Sequence, residues 1–166
     1  MKCPQCRHEM ARNIENHRYT ESGLSNVVLV GVEVRRCQNC GENLVSIPRI
    51  EDLHRTIAMT LIRHTGRLAP SEIRFLRKWL GWSGVDFAKH MGVTPETVSR
   101  WESVDNQKPM GGTAERLLRL AVAHGQPVDE YPIGMLVEID DAQAPSAPLL
   151  AMKPERTGWT ATTLAA

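Results

Sequence analysis

The stretch LGWSGVDFAKHMGVTPETVSRWE, residues 80–102, decides the fold of the C-terminal half of this chain. Ser83 can cap a short helix of about two turns, and Gly92 then supplies a flexible turn. Thr94 is a side-chain N-cap, and Pro95 occupies the first helical position, where its missing N–H costs nothing. The pattern predicts two short helices joined by a tight turn, the second of which begins at Pro95.

The second helix of this pair is predicted to have a polar outer face. Its apolar positions face the core, which leaves Glu96, Thr97 and Arg100 outside, near the helix N-terminus. In a helix-turn-helix this part of the second helix contacts base edges in the major groove, and the loop that follows, with Lys108, lies on the phosphate backbone. The candidate DNA-binding residues are Thr94, Glu96, Thr97, Arg100 and Lys108.

This segment resembles the helix-turn-helix of the Xre/Cro-type repressors. The positions that fit the pattern of that family are Ser83, Phe87, Ala88, Met91, Gly92, Val93, Thr94, Val98, Ser99, Trp101 and Glu102. Gly84 departs from it, because the family often has a DNA-contacting Gln there, so this contact is absent or replaced. One recognition helix reads only a few base pairs, so we expect a homodimer on a pseudo-palindromic site in double-stranded DNA.

The N-terminal region carries all four cysteines of the chain as two CxxC pairs, Cys3 with Cys6 and Cys37 with Cys40. A redox CxxC needs a helix behind it to lower a thiol pKa, and neither pair is followed by an obvious helix. Four thiolates complete a tetrahedral zinc site with nothing left over. We therefore expect one structural Zn²⁺ per chain on all four cysteines; an iron centre or a redox pair is the alternative.

The segment between the two CxxC pairs is β-rich, and the helical period begins after it. Residues 13–36 predict a twisted hairpin or short meander that carries the second pair back to the first. Its valine-rich run, residues 27–34, either offers an edge or apolar face to another protein or is covered by the next helix. That helix is predicted over residues 49–63 from the spacing of its apolar residues, Ile50, Leu53, Ile57 and Leu61.

Charge is distributed unevenly along the chain. Residues 1–48 carry +1 (six basic, five acidic), residues 49–127 carry +4 (twelve and eight) and residues 128–166 carry −4 (two and six). The basic middle favours a polyanionic partner. No secretory signal is visible, and the run VVLVGV is too short to span a bilayer, so we expect a cytoplasmic protein without a membrane partner.

These observations predict an α+β chain. A small zinc-bound β-rich domain is followed by an all-α Xre/Cro-type helix-turn-helix domain and a disordered tail. The predicted boundaries are 1–48 for the zinc-binding domain, 49–68 for the linker helix, 69–127 for the DNA-binding domain and 128–166 for an acidic, Pro/Ala-rich, largely disordered tail.

Together the two halves resemble the MqsA-type (YgiT-type zinc finger) antitoxins of bacterial toxin–antitoxin pairs, over about residues 1–125. The resemblance implies that the zinc domain binds and neutralises an RNA-cleaving toxin, while the second domain dimerises and represses the promoter of its own operon. Arg100 matches the family's DNA-reading Arg, but Glu96 stands in the place of its Asn, so the operator sequence does not carry over. The tail is not part of the family pattern.

Two other functions compete with this interpretation. The first is a stand-alone zinc-containing transcriptional regulator without a toxin partner. The second is an enzyme that uses the CxxC thiols. No nucleophile–base pair or cofactor motif accompanies the cysteines, so we expect no enzymatic activity. A neighbouring reading frame that encodes a small ribonuclease would favour the antitoxin over the stand-alone regulator.

Overall fold

The computed structural model of the chain describes residues 1–105, 108–124, 139 and 143–164, and these have an α+β fold. They divide into two compact units. The sheet unit holds residues 1–20, 25–56 and the segment from residue 149 onward, and the helical unit holds residues 21–24 and the described part of 57–148. Among the described residues, no helix has the length and apolar character needed to cross a membrane.

The sheet unit is organised around its longest strand. Its strands are β1 (Met10–Arg18), β2 (Val27–Cys37), β3 (Asn43–Val45), β4 (Leu150–Pro154) and β5 (Trp159–Thr162). The order is β1-β2-β4-β5, with β3 also paired to β2. The predicted hairpin is present as β1 and β2, which run antiparallel. The pairing of β2 with β4 is parallel, whereas β4 and β5 form an antiparallel hairpin.

A β-bulge determines which side chains of β2 are buried. The β1–β2 ladder changes register between Glu15 and His17. Gly31 lies in this stretch with φ +66°, a conformation that suits glycine, and its N–H donates to the Asn16 side chain at 3.2 Å. The extra residue lies in β2 and changes the spacing of its buried side chains. These are three residues apart across the bulge and two residues apart on either side of it. Those positions are Val27, Leu29, Val32 and Val34.

The helix predicted after the cysteine region is confirmed as α1 (Ile50–Arg63). Leu53, Ile57 and Leu61 are buried as their spacing predicts, whereas Ile50 is 46% exposed. The first half of α1 belongs to the sheet unit and the second half, from Ile57, to the helical unit. The two compact units therefore meet in sequence inside α1, between Thr56 and Ile57, within the segment 49–68 that the sequence predicts as a linker helix.

The described residues of the helical unit form four further helices. They are α2 (Pro70–Trp79), α3 (Gly84–Met91), α4 (Pro95–Trp101) and α5 (Gly112–Ala123). The apolar side chains of these four helices that are at most 2% exposed are Ile73, Leu76, Phe87, Ala88, Val98, Leu118 and Val122. Phe87 and Trp101 meet edge to face, with ring centroids 6.0 Å apart, so the Trp of the second predicted helix packs against the first.

A buried ionic cluster fastens the segment before α2 to α5. Glu115 accepts hydrogen bonds from Arg67 Nε and from Arg119 Nη2, both at 2.7 Å, and the Leu68 N–H donates to it at 3.1 Å. The three charged side chains are at most 4% exposed. The two guanidinium groups also donate to the carbonyl oxygens of Ile62, His64, Gly66 and Met110. We call Arg67, Glu115 and Arg119 the Glu115 cluster.

The prediction of a largely disordered tail over 128–166 is wrong for its last part. Residues 149–164 contain β4 and β5 and are named the C-terminal hairpin below. Leu150, Met152 and Trp159 are buried, and the burial of these apolar side chains offsets the conformational entropy that is lost when the strands become ordered. The stretches 125–138 and 140–142, which the same prediction covered, lie outside the described residues.

Candidate metal centre and nucleic-acid interface

The structure brings the four predicted ligands, Cys3, Cys6, Cys37 and Cys40, together at the end of the β1–β2 hairpin. All four Sγ atoms lie within 4.8 Å of one another, and none forms a disulfide. The Cys3–Cys40 pair is separated by 3.5 Å and the Cys6–Cys37 pair by 3.3 Å. Four thiolates at 2.3 Å from a tetrahedral ion lie about 3.8 Å apart, so the cluster could hold a metal ion such as zinc.

Each CxxC pair lies on a tight backbone turn of the same design. The residue after the second cysteine has a left-handed conformation, with φ +63° at Arg7 and +76° at Gly41. Its N–H donates at 2.9 Å to the carbonyl of the first cysteine of the pair, Cys3 or Cys37. The two turns therefore present two thiols each from equivalent positions, as the repeated spacing indicates.

The electrostatics of the cluster suit a cation. The backbone N–H of His8 and the neighbouring thiols lower the pKa of Cys6 to about 5. The Glu42 backbone lowers the pKa of Cys40, but the Cys6 thiol, burial and the other two cysteines outweigh it and raise this pKa to about 12. The neighbouring thiols thus share protons. A metal ion that replaces these protons also neutralises the repulsion between the resulting thiolates.

The core beside this cluster is small. Cys3, Met10 and Cys37 are buried together, and Cys6 and Leu44 pack against them. Three of these five side chains are themselves the candidate ligands. The cysteine end of the sheet unit therefore has little apolar area of its own to hold it folded.

The helix pair predicted over residues 83–101 has the expected caps. Ser83 is the N-cap of α3 and exchanges hydrogen bonds with Asp86, which forms a capping box. Gly92 ends α3 in the left-handed conformation with φ +65°. Thr94 is the N-cap of α4, where its hydroxyl accepts from the Thr97 N–H, and Pro95 follows at the first helical position.

The predicted DNA-binding residues lie on accessible surface. Thr94, Glu96, Arg100 and Lys108 are exposed, and Thr97 is partly exposed. Hydrogen bonds from its own N–H and from Thr94 hold the pKa of Glu96 below its usual range, so this side chain stays anionic at the start of α4. Whether these residues contact DNA stays a prediction.

One cavity brings the two predicted cationic contacts together. Arg100 from α4 and Lys108 from the following loop line the same space of about 210 Å³, beside Trp101 and Met110. The loop that carries Lys108 therefore returns to the side of α4 that carries Arg100.

Two arginines of α2, Arg74 and Arg77, form ion pairs with a buried glutamate, and Arg74 itself is 54% exposed. Glu102 is 8% exposed and accepts from Arg77 at 2.5 and 2.9 Å and from Arg74 at 3.2 Å. The hydrogen bond with Glu102 raises the pKa of Arg77. These contacts fasten the end of α4 to α2. The sequence contained one signal for this ion pairing. Glu102 directly follows the core residue Trp101, and a glutamate buried at that position needs a partner.

One face of the valine-rich run of β2 is buried, whereas Val28 and Val30 on the other face are half-buried. Val27, Leu29, Val32 and Val34 are at most 2% exposed. The first part of the run, Val27–Leu29, also pairs with Leu150–Met152 of the C-terminal hairpin. This face of β2 is therefore covered within the chain, while Leu150–Met152 occupy the neighbouring position in the same sheet.

The chain therefore has two parts. The first is a small sheet with a four-thiol cluster that could hold a metal ion, and the second contains a pair of capped helices with an exposed polar face. The model of one protein family matches residues 1–131 and is described as the antitoxin component of a bacterial toxin–antitoxin system, MqsA. The chain belongs to this MqsA antitoxin family. No curated protein matches it. The matched region includes the cysteine cluster and helices α1 to α5, and it ends before the C-terminal hairpin.

Proposed function

We propose that the protein is the antitoxin of a type II toxin–antitoxin pair. Its sheet unit binds and neutralises an RNA-cleaving toxin, and its helical unit binds the operon promoter as a homodimer and represses transcription. The family match over residues 1–131 carries this proposal, because it spans both the cysteine cluster and the helix pair. A cytoplasmic location follows from a DNA partner and from four free thiols.

Zinc is the metal that we assign to Cys3, Cys6, Cys37 and Cys40. An all-thiolate donor set favours a soft or borderline ion, and the intracellular choice for four cysteines on two CxxC turns is Zn²⁺. The bound ion would hold the two turns together and has no free position for a reacting water. The site is accordingly structural, and we assign the chain no enzymatic activity.

DNA recognition is assigned to the exposed start of α4 and to the loop behind it. Arg100 can donate two hydrogen bonds to O6 and N7 of guanine, and the anionic Glu96 can accept from N4 of cytosine. Thr94 and Thr97 are suited to phosphate or base contacts, and Lys108 to phosphate. Because each α4 reads only a few base pairs, two copies on half-sites about one helical turn apart are needed for specific binding.

Replacing the two cationic residues separates base reading from phosphate contact. Arg100→Ala should weaken operator binding by roughly 1–3 kcal/mol and relax selectivity between related sequences. Lys108→Ala should weaken binding to all sequences alike and reduce the salt dependence by about one phosphate contact. Titration of labelled promoter DNA at several salt concentrations measures both effects.

Lys89→Ala is the matched control for this titration, because Lys89 is exposed near the C-terminus of α3 and has no assigned contact. We expect it to bind nearly as wild type does. An Arg100→Ala protein that binds its operator as tightly and as selectively as wild type would show that another residue reads the bases.

Toxin binding is tested directly with the protein encoded beside this chain. The full-length chain should co-purify with a small ribonuclease encoded in the adjacent reading frame and should abolish its RNA cleavage. The stand-alone regulator remains the other candidate, and it would bind the promoter without binding any such ribonuclease. An adjacent frame that encodes no ribonuclease would therefore favour the regulator.

A further inference from the structure

We propose that the C-terminal hairpin is a strand donor that completes the sheet unit, so that the toxin-binding half of the molecule is assembled from both ends of the chain. This inference rests on the function proposed above. The hairpin begins at residue 149, beyond residue 131, where the family match ends. It is therefore a feature that the family assignment does not supply.

The first argument is the backbone pairing. Leu150–Met152 run parallel to Val27–Leu29, and the Leu150 N–H donates to the Asn26 carbonyl oxygen at 2.6 Å. An open stretch of β2 here would be a template for another chain. The hairpin fills it, which prevents a partner from adding a strand at this position.

The second argument is the burial of Trp159. Its side chain is only 6% exposed, and its indole Nε1 donates to the Pro48 carbonyl oxygen at 2.7 Å. The Thr56 hydroxyl donates to the Trp159 carbonyl oxygen at 3.3 Å. Met152, on the other strand of the hairpin, is fully buried. A large aromatic side chain with its polar atom satisfied is the kind of anchor that holds a segment in place.

The third argument is the turn of the hairpin, which is held by Arg49. The Arg49 guanidinium donates to the carbonyl oxygens of Glu155 at 2.7 Å, Arg156 at 2.8 Å and Gly158 at 3.3 Å. Arg49 has φ +47°, a conformation that a residue other than glycine keeps only when its surroundings enforce it. The residue with this conformation is thus also the one that contacts three carbonyl groups of the hairpin.

These contacts have a functional consequence. Undocking of the hairpin would expose the β2 edge and leave the Trp159 site empty, so the sheet unit would be incomplete in that state. If the toxin binds the complete unit, its apparent affinity falls with the fraction of chains in which the hairpin is docked. The helical unit contains the predicted DNA-reading residues, and its operator affinity should not depend on the hairpin.

The experiment uses the full-length chain and Trp159→Ala, with Lys153→Ala as the matched control. Lys153 lies on β4, and its side chain is 55% exposed. Hydrogen exchange should accelerate at residues 27–29 and 150–162 in Trp159→Ala but not in Lys153→Ala. Titration with a catalytically inactive form of the co-encoded ribonuclease should show affinity weakened on the order of tenfold or more in Trp159→Ala. Operator affinity should be unchanged in both variants.

A second, milder variant distinguishes undocking of the hairpin from unfolding of the whole protein. Arg49→Lys keeps the charge but cannot donate to three carbonyl groups from one planar group, so it should change exchange and toxin affinity in the same direction by a smaller factor. Toxin affinity that is unchanged or tighter while the hairpin amides exchange rapidly would overturn the proposal. If wild type does not bind the ribonuclease at all, the proposed function fails. The hairpin is then judged by exchange at residues 27–29, where no acceleration in Trp159→Ala would refute it.

Discussion

Removal of bound zinc should melt the cysteine end of the sheet unit while the helical unit stays folded. The four thiols lie within 4.8 Å of one another, and three of the cysteines provide most of the local core. Without a cation, the thiols take up protons and no longer link the two CxxC turns, and little apolar area compensates for this loss. Zinc binding is then folding free energy, on the order of 10 kcal/mol in small zinc modules, which makes this the largest effect that we expect.

Metal analysis of the purified protein and circular dichroism in the presence of a chelator measure this effect. We expect one zinc per chain, and Cys37→Ser should lose it. His8→Ala is the control, because His8 is exposed beside Cys6 and its ring contacts the Cys6 carbonyl oxygen, so zinc should be retained. A zinc content near zero, with the cysteine end still folded in chelator, would exclude the metal site.

The second large effect is expected at the Glu115 cluster. Glu115→Ala should destabilise the helical unit by about 3–5 kcal/mol, because it leaves the guanidinium groups of Arg67 and Arg119 buried without a counter-charge. Glu115→Gln keeps the shape of the side chain but removes its charge, so it should be destabilising in the same direction.

Urea unfolding followed by tryptophan fluorescence measures the change, because Trp79, Trp82 and Trp101 all lie in the helical unit. Thr113→Ala provides the control, since Thr113 is exposed on the same helix and its loss should change the free energy of unfolding by about 0.5 kcal/mol or less. If Glu115→Ala were no more destabilising than this control, the cluster would not hold the segment before α2 to α5.

The features that could be predicted from the sequence are those fixed by local chemistry. Ser83, Gly92, Thr94 and Pro95 specify helix ends through contacts with residues at most four positions away, so the helix pair follows from its own sequence. The CxxC spacing likewise predicts two equivalent turns. Bringing Cys3 beside Cys40 needed only an antiparallel hairpin between them.

The hairpin and the ionic clusters could not be predicted in the same way because their partners are distant in sequence. Leu150 pairs with Val27, more than a hundred positions earlier, and no local signal selects that partner. The apolar run LLAM and the segment GWTAT after a short polar turn are compatible with two strands, but the Pro and Ala around them obscured the signal. The partner of Arg77 could not be predicted from the sequence either, because only the fold decides whether its side chain contacts Glu102 or solvent.

The central claim is that one chain divides two tasks between its units, and growth rescue tests it most directly. The full-length chain and its variants would be expressed from an independent promoter beside the co-encoded ribonuclease, with the native promoter driving a reporter. We predict that wild type restores growth and represses the reporter, that Cys37→Ser loses rescue but keeps repression, and that Arg100→Ala keeps rescue but loses repression. Rescue that survives in Cys37→Ser but fails in Arg100→Ala would contradict the account.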